Sequence, residues 1–173
     1  YLTELVLERF GVFSEPFTSK SMEWGIEQEP FARATHEERQ QIMVDQCGYI
    51  LHPRIAKSGA SPDGLIGDDG VLEIKCPDTK THFEYLLADK PPAQYIPQMA
   101  WQISCTGRKW ADFVSYDPRA PIGLEYFYIR YTPDPEYIEM LENEVTLFLL
   151  EVDKKFIQLE QKLKDIKNDV AKQ

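Results

Sequence analysis

Apolar residues at Leu2, Leu5, Val6 and Phe10 recur at the three- and four-residue steps of one helical face, and Gly11 follows as a natural stop. A second helical pattern runs from about Trp24 into Met43, where Pro30 removes one backbone hydrogen bond and either kinks the helix or sets its true start. "YILHPRIAKSGA" has the character of strand and turn. "THFEYLLAD" and "AQYIPQMAWQISCTG" read as helices, whereas "KWADFVSYD" and "GLEYFYIRY", rich in aromatic and β-branched residues, read as strands. The order of helices, strands, helix, strands, helix is that of a mixed α/β domain.

The last segment carries the clearest pattern. Asp134 is a good N-cap, Pro135 suits the first helical position, and Ile138, Leu141, Val145, Phe148, Val152, Phe156, Leu159, Leu163, Ile166 and Val170 follow in steps of three and four. These steps predict one very long helix, about residues 135–170, with a narrow apolar stripe. The stripe either packs on another subunit or partner, or folds back on the core of its own domain.

With 173 residues, the chain fits a single domain, 1–173, with one main core. An apolar share of 43% beside 28% charged residues is that of a water-soluble protein, and the apolar runs are too short to cross a bilayer, so no membrane is expected. Cys47, Cys76 and Cys105 form no CxxC pair, which argues against a disulfide framework and places the protein in a reducing compartment, the cytoplasm. The chain opens at Tyr1 rather than Met, directly into a helical pattern, so sequence is expected upstream of it.

Charge bears on function next. A net charge of −10 speaks against a nonspecific DNA coat, which draws on clustered Lys and Arg. The charge is unevenly spread, however: residues 131–153 hold seven acidic side chains and no Lys or Arg, leaving room for a local basic groove elsewhere.

The candidate chemistry lies in "SPDGLIGDDGVLEIKCP", Ser61 to Pro77. Strand alternation puts Glu73 and Lys75 on one face and Leu72, Ile74 and Cys76 on the other. A two-residue turn would set Asp63 opposite Ile74, on the wrong face. A three-residue loop Asp68-Asp69-Gly70, with Gly70 in the left-handed conformation, sets it opposite Lys75, and the turn chemistry favours this second register. Two carboxylates and an ammonium then converge, and the carboxylates repel unless a cation lies between them. Hard oxygen ligands suit Mg²⁺, with Mn²⁺ as a substitute, and His36, His52 and His82 show no zinc spacing. Asp63 and Glu73 would hold the metal while Lys75 orients the attacking water, which is the chemistry of phosphodiester hydrolysis. On the Glu-x-Lys tripeptide alone, a surface hairpin with an incidental salt bridge would be the favoured reading.

"SPDGL" and "LEIKCP", with "EWGIEQEPFAR" upstream and "YIPQMAWQ" and "FVSYDPR" downstream, resemble the phage lambda exonuclease and YqaJ family of recombination nucleases, within the restriction-endonuclease-like, PD-(D/E)XK superfamily. The likeness covers about Met22 to Tyr131. It implies a restriction-endonuclease-like core about 22–131, a mixed sheet flanked by helices. It also implies Mg²⁺-dependent 5′ to 3′ digestion of one strand of linear double-stranded DNA, leaving 3′ overhangs for a single-strand annealing protein. By resemblance the metal ligands fall on Asp63, Glu73 and the backbone carbonyl of Ile74, and the catalytic lysine on Lys75. Glu29 would serve a second metal or its water. Tyr95 and Gln98 match a Tyr-x-x-Gln motif, one turn apart and pointing at the site, Gln98 as a catalytic side chain and Tyr95 as a substrate contact. Ser61 would help hold the 5′-phosphate, and Met22 falls on an apolar wedge between the strands. The family often has a second glutamine where this chain has Ala100, and its upstream arginine and serine have no counterpart here.

Family members are homotrimeric rings threaded by duplex DNA, which would reconcile an acidic protein with a DNA substrate while a few of Arg54, Lys57, Lys80, Arg108, Lys109 and Arg119 meet phosphates. Two other readings compete. A Cas4-like nuclease would need four cysteines for its iron–sulfur cluster, and the chain has three. A non-catalytic DNA-end binding or assembly module would keep the hairpin as scaffold, yet a scaffold has no reason to gather three charges.

Overall fold

The structure is a computed structural model describing residues 1–15 and 17–170. The chain divides into two compact units, one of Thr18–Leu141 and one joining the start of the chain to the greater part of its last helix. The larger unit is built on a five-stranded sheet in the order β1-β4-β5-β6-β7: β1 Val44–Asp45, β4 Gly64–Ile66, β5 Gly70–Lys75, β6 Trp110–Tyr116 and β7 Tyr126–Tyr131. The β5–β6 pair is parallel and the other pairs are antiparallel. β2 Ile50–Leu51 and β3 Gly59–Ala60 form a separate two-stranded hairpin.

The central strand has both faces covered. Val71 packs with Tyr85, Met99, Ile103 and Phe113 beneath α3 (Thr79–Ala88) and α4 (Ile96–Thr106). Leu72 and Ile74 pack on the other side with Val44, Val114 and Ala32 of α2 (Lys20–Gln40). The face that carries Glu73 is therefore the floor of a second core rather than a solvated surface, which is why Gly70 to Ile74 are all buried.

Two local expectations are corrected. The helix expected from about Trp24 begins at Lys20, because the Ser19 side chain accepts the Met22 N–H at 3.2 Å and caps it there. Pro30 lies within the helix and does not set its start. In the hairpin, Ile66 pairs with Gly70 across a loop of Gly67, Asp68 and Asp69, and the left-handed glycine is Gly67 at φ 51°. Gly70 is the first residue of β5, and a side chain there would run into the Trp110 ring. The register is thus two residues from the expected one, aligning Asp63 toward Glu73 rather than Lys75. A two-residue shift keeps every side chain on its face.

The remaining elements follow the pattern of the chain. A 3-10 turn at Ala93–Tyr95 leads into α4, which has Pro97 in its first turn and ends at Gly107 in the left-handed conformation. The last helix, α5, is a single element, Pro135–Val170, and Asp134 accepts the Glu136 N–H at 2.9 Å. In the smaller unit α1 (Leu2–Arg9) lies along α5: Tyr1 stacks on Phe148 at 5.8 Å, Phe10 meets Phe156 at 4.7 Å, and Arg9 pairs with Asp153. Val6 and Val152 are fully buried. The stripe on the last helix is covered in part by α1, within the smaller unit, rather than by the core of the larger one as one expectation had it. No helix among the described residues is long and apolar enough to cross a membrane.

Candidate active site

Asp63 stands just before β4, and its N–H still donates to the Leu72 carbonyl at 3.0 Å, so the pairing of the hairpin carries the backbone up to it. Its carboxylate turns across to β5 and accepts the Ile74 N–H at 2.6 Å. One strand position away, Glu73 is completely buried. Its Oε1 is paired by the Lys75 ammonium, and its Oε2 accepts from Gln102 Nε2 at 2.6 Å. Lys75 is about one-quarter exposed and holds its ammonium 4.9 Å from the Tyr95 ring centre, a cation–π contact. Tyr95 is itself fixed by stacking on Phe113 at 5.5 Å and by an edge contact with Tyr85.

These groups border a cleft of about 440 Å³, lined by Met22, Ile26 and Glu29 of α2 together with Asp63, Lys75 and Tyr95. Glu29 is also ion-paired with Arg33, one helical turn along. Burial and then the nearby charge of Glu73 push the Asp63 carboxyl up to about 7, although the Ile74 N–H and Lys75 pull the other way. Burial lowers the Lys75 ammonium, but Glu73 outweighs it and leaves the group above its ordinary value. The Cys76 thiol is pushed up to about 12, chiefly by burial and then by Glu29 and Asp63, so it is an inert wall of the cleft. The site thus carries more negative charge than Lys75 alone offsets.

Of the residues expected from sequence, Met22, Glu29, Asp63, Ile74, Lys75 and Tyr95 line this one cleft, with Glu73 buried directly behind it. Ser61 and Gln98 are both exposed and neither lines the cleft. The glutamine of α4 that reaches the buried carboxylate is Gln102, which the sequence reading did not single out. Its signal was present: Met99 and Ile103 mark the buried face of α4, and Gln102 is a polar residue on it. Ala100 is completely buried. Four of the six basic residues expected at phosphates are engaged elsewhere. Arg108 donates to the carbonyls of Ile66, Gly67 and Gly70, Lys109 pairs with Asp69, Lys80 with Glu84, and Arg119 with Asp117 while stacking on Trp24.

Among the described residues no three His, Cys, Asp or Glu side chains are gathered as a closed metal cage. Mg²⁺ keeps several waters and is bound through one or two carboxylates plus phosphate, so the donors to weigh are the carboxylates of Asp63 and Glu73 and the Ile74 carbonyl. Burial and then the charge of Glu73 drive Asp63 up to about 7, and a bound cation would neutralise the second of these. The residues present fit the group.

Known proteins resemble this chain in sequence and in fold. The model of the YqaJ-like viral recombinase domain matches residues 1–109. Two crystal structures of LHK-Exo, an alkaline exonuclease from Laribacter hongkongensis, one of them in complex with dAMP, are 43% identical and superpose with a TM-score of 0.92. They cover 96% of this chain, which in turn covers 85% and 84% of them. A phage-related exonuclease from Haemophilus somnus 129PT shares the fold at 13% identity, with a TM-score of 0.70 over 94% of this chain and 82% of its own. No curated protein sequence matches. With its matched region spanning well over half its length and a solved relative alike along almost all of it, the chain belongs to the YqaJ-like viral recombinase domain family.

Proposed function

We propose that the protein is a DNA exonuclease that uses Mg²⁺, or Mn²⁺ in its place, to digest one strand of linear duplex DNA from its 5′ end. The 3′ overhang left behind would be the substrate of a single-strand annealing protein. The observation that carries this reading is the placing of Asp63 and Lys75 at one cleft with Glu73 buried directly behind it, where burial and then the charge of Glu73 push the Asp63 carboxyl up to about 7. Family membership and the 43% identical alkaline exonuclease support the same reaction class.

The chemistry that Mg²⁺ supplies when bound is polarisation of a phosphate oxygen and activation of a water. Asp63, Glu73 and the Ile74 carbonyl would hold it. The protein's own contribution is placement. Ile74 N–H fixes the Asp63 carboxylate, and the Tyr95 ring confines the Lys75 ammonium to the mouth of the cleft. From there Lys75 can orient the attacking water and offset charge that develops on the phosphate. Glu29, at the cleft wall, would steer a further water or second ion, and Met22 offers an apolar edge for a separating base pair. Ser61 remains a proposed contact to the 5′-phosphate and Gln98 a proposed catalytic side chain, although both are exposed and neither lines the cleft. A homotrimeric ring around the duplex would let an acidic chain stay on DNA with few cationic contacts.

The test is a linear duplex bearing a 5′-phosphate and a separate label on each strand, incubated with Mg²⁺ or with EDTA. The expected result is nucleotide release from 5′ ends only, dependent on metal. Lys75→Ala should reduce it by about 10²- to 10³-fold while leaving end binding intact. End binding without degradation under any metal would overturn the enzyme reading in favour of a scaffold module.

A further inference from the structure

Gln102 is only 1% exposed and lies on the face of α4 that packs over the sheet, beside Met99 and Ile103. Its amide nitrogen donates to Glu73 Oε2 at 2.6 Å, while its own carbonyl oxygen is buried without a partner. The orientation of the amide follows from the charge it faces: the reverse orientation would set an amide oxygen against a carboxylate oxygen. Burying an acceptor without a donor is destabilising, and a leucine or methionine would fill the same space without that cost. A residue retained for packing alone would not be a glutamine.

The two oxygens of Glu73 are held in different ways. Oε2 is bound by an amide on a buried helix face, where both partners are shielded from water. Oε1 faces Lys75, whose side chain is about one-quarter exposed and carried on a flexible stem. A carboxylate free to rotate about its last bond offers either oxygen to the cleft; one pinned through Oε2 offers only Oε1. We propose that Gln102 is a positioning residue that locks the Glu73 carboxylate so that Oε1 is the oxygen presented to a divalent cation, with Lys75 as its exchangeable partner when the ion is absent. The inference rests on the nuclease reading above. Gln102 lies one helical turn beyond the exposed Gln98.

Two variants test it: Gln102→Met, which keeps the length and bulk of the side chain but cannot donate, and Gln102→Asn, which can donate but is one methylene too short to reach. Thermal melting in EDTA identifies which of them is folded. Mn²⁺ binding to the DNA-free protein is then measured by electron paramagnetic resonance, and the Mg²⁺ dependence of digestion is measured separately. Loss of an outer partner of a ligand is expected to weaken Mn²⁺ binding by about 10- to 100-fold. The half-saturating Mg²⁺ should move in the same direction, with much of the rate recovered at high Mg²⁺. Mn²⁺ affinity within twofold of the parent in a folded variant, with only the melting temperature changed, would overturn the positioning role. A parent protein that binds no Mn²⁺ and digests nothing would instead sink the nuclease reading itself.

Discussion

Replacing Asp63 with asparagine should stabilise the metal-free protein while abolishing its activity. The side chain is mostly buried, and its carboxyl is raised from an ordinary value of 3.8 to about 7 by burial and by Glu73. Between those two values the folded protein retains a proton that the unfolded chain has released, so stability falls as pH rises through that window. The gap of about three pKa units, at about 1.4 kcal/mol each, sets a ceiling of about 4 kcal/mol lost by pH 8. Asparagine cannot ionise, and its Oδ1 can still accept the Ile74 N–H that Asp63 accepts at 2.6 Å. Urea denaturation in EDTA should therefore find Asp63→Asn more stable by about 2–4 kcal/mol at pH 8, with the advantage down to about two-fifths at pH 5 and nearly gone by about pH 3.5. Added Mg²⁺ should stabilise the parent at pH 8 and leave the variant unmoved, because only a state that binds the ion gains from it. A variant no more stable than the parent at pH 8, or an advantage that does not grow with pH, would refute the charge-excess argument on which the metal site stands.

Two further predictions concern the frame around the site. Asp112 is fully buried, accepts from Arg130 at 2.8 and 2.9 Å and lies 3.4 Å from His36, so Asp112→Ala should cost about 3 kcal/mol in urea denaturation at pH 7 by stranding its partners. Burial alone would raise that carboxyl, but the hydrogen bonds of His36 and Arg130 leave it lowered. Its contribution is therefore present above about pH 4 and lost as pH falls through its depressed folded value, so the gap between parent and variant should shrink when measured in acid. Gly70→Ala would press a methyl group into the Trp110 ring and should cost about 1–3 kcal/mol, read as a lower urea midpoint at unchanged slope.

The fold was legible wherever one periodicity ran long enough to be unambiguous. The stripe from Ile138 to Val170 gave a helix whose bounds, Pro135–Val170, match the capping signals of Asp134 and Pro135. β1 went unseen because two residues, Val44 and Asp45, carry no period, and only their pairing with Leu65 and Ile66 makes them a strand. The start of α2 was misplaced for a different reason. Pro30 is a strong local signal and Ser19 a weak one, yet a cap hydrogen bond at Ser19 was enough to start the helix there, with ten residues preceding the proline.

The same contrast between local and tertiary information governs the site. Turn chemistry chose the wrong glycine, because Gly70 is required by the indole of Trp110, a contact 40 positions away that no hairpin rule contains. The face assignment survived because it depends on parity alone: any register an even number of residues away brings Asp63 to the side of Glu73 and Lys75. What parity could not show was that this side is itself a core. Once α4 covers it, Glu73 loses its water and must find donors inside the protein, and the helix that removes the water is the element that supplies one, at Gln102. A motif spacing finds the residues that face the substrate. The residue that holds a buried ligand in place is found by asking which polar side chain interrupts the apolar face packed above it, and in α4 that question leads to position 102 rather than 98.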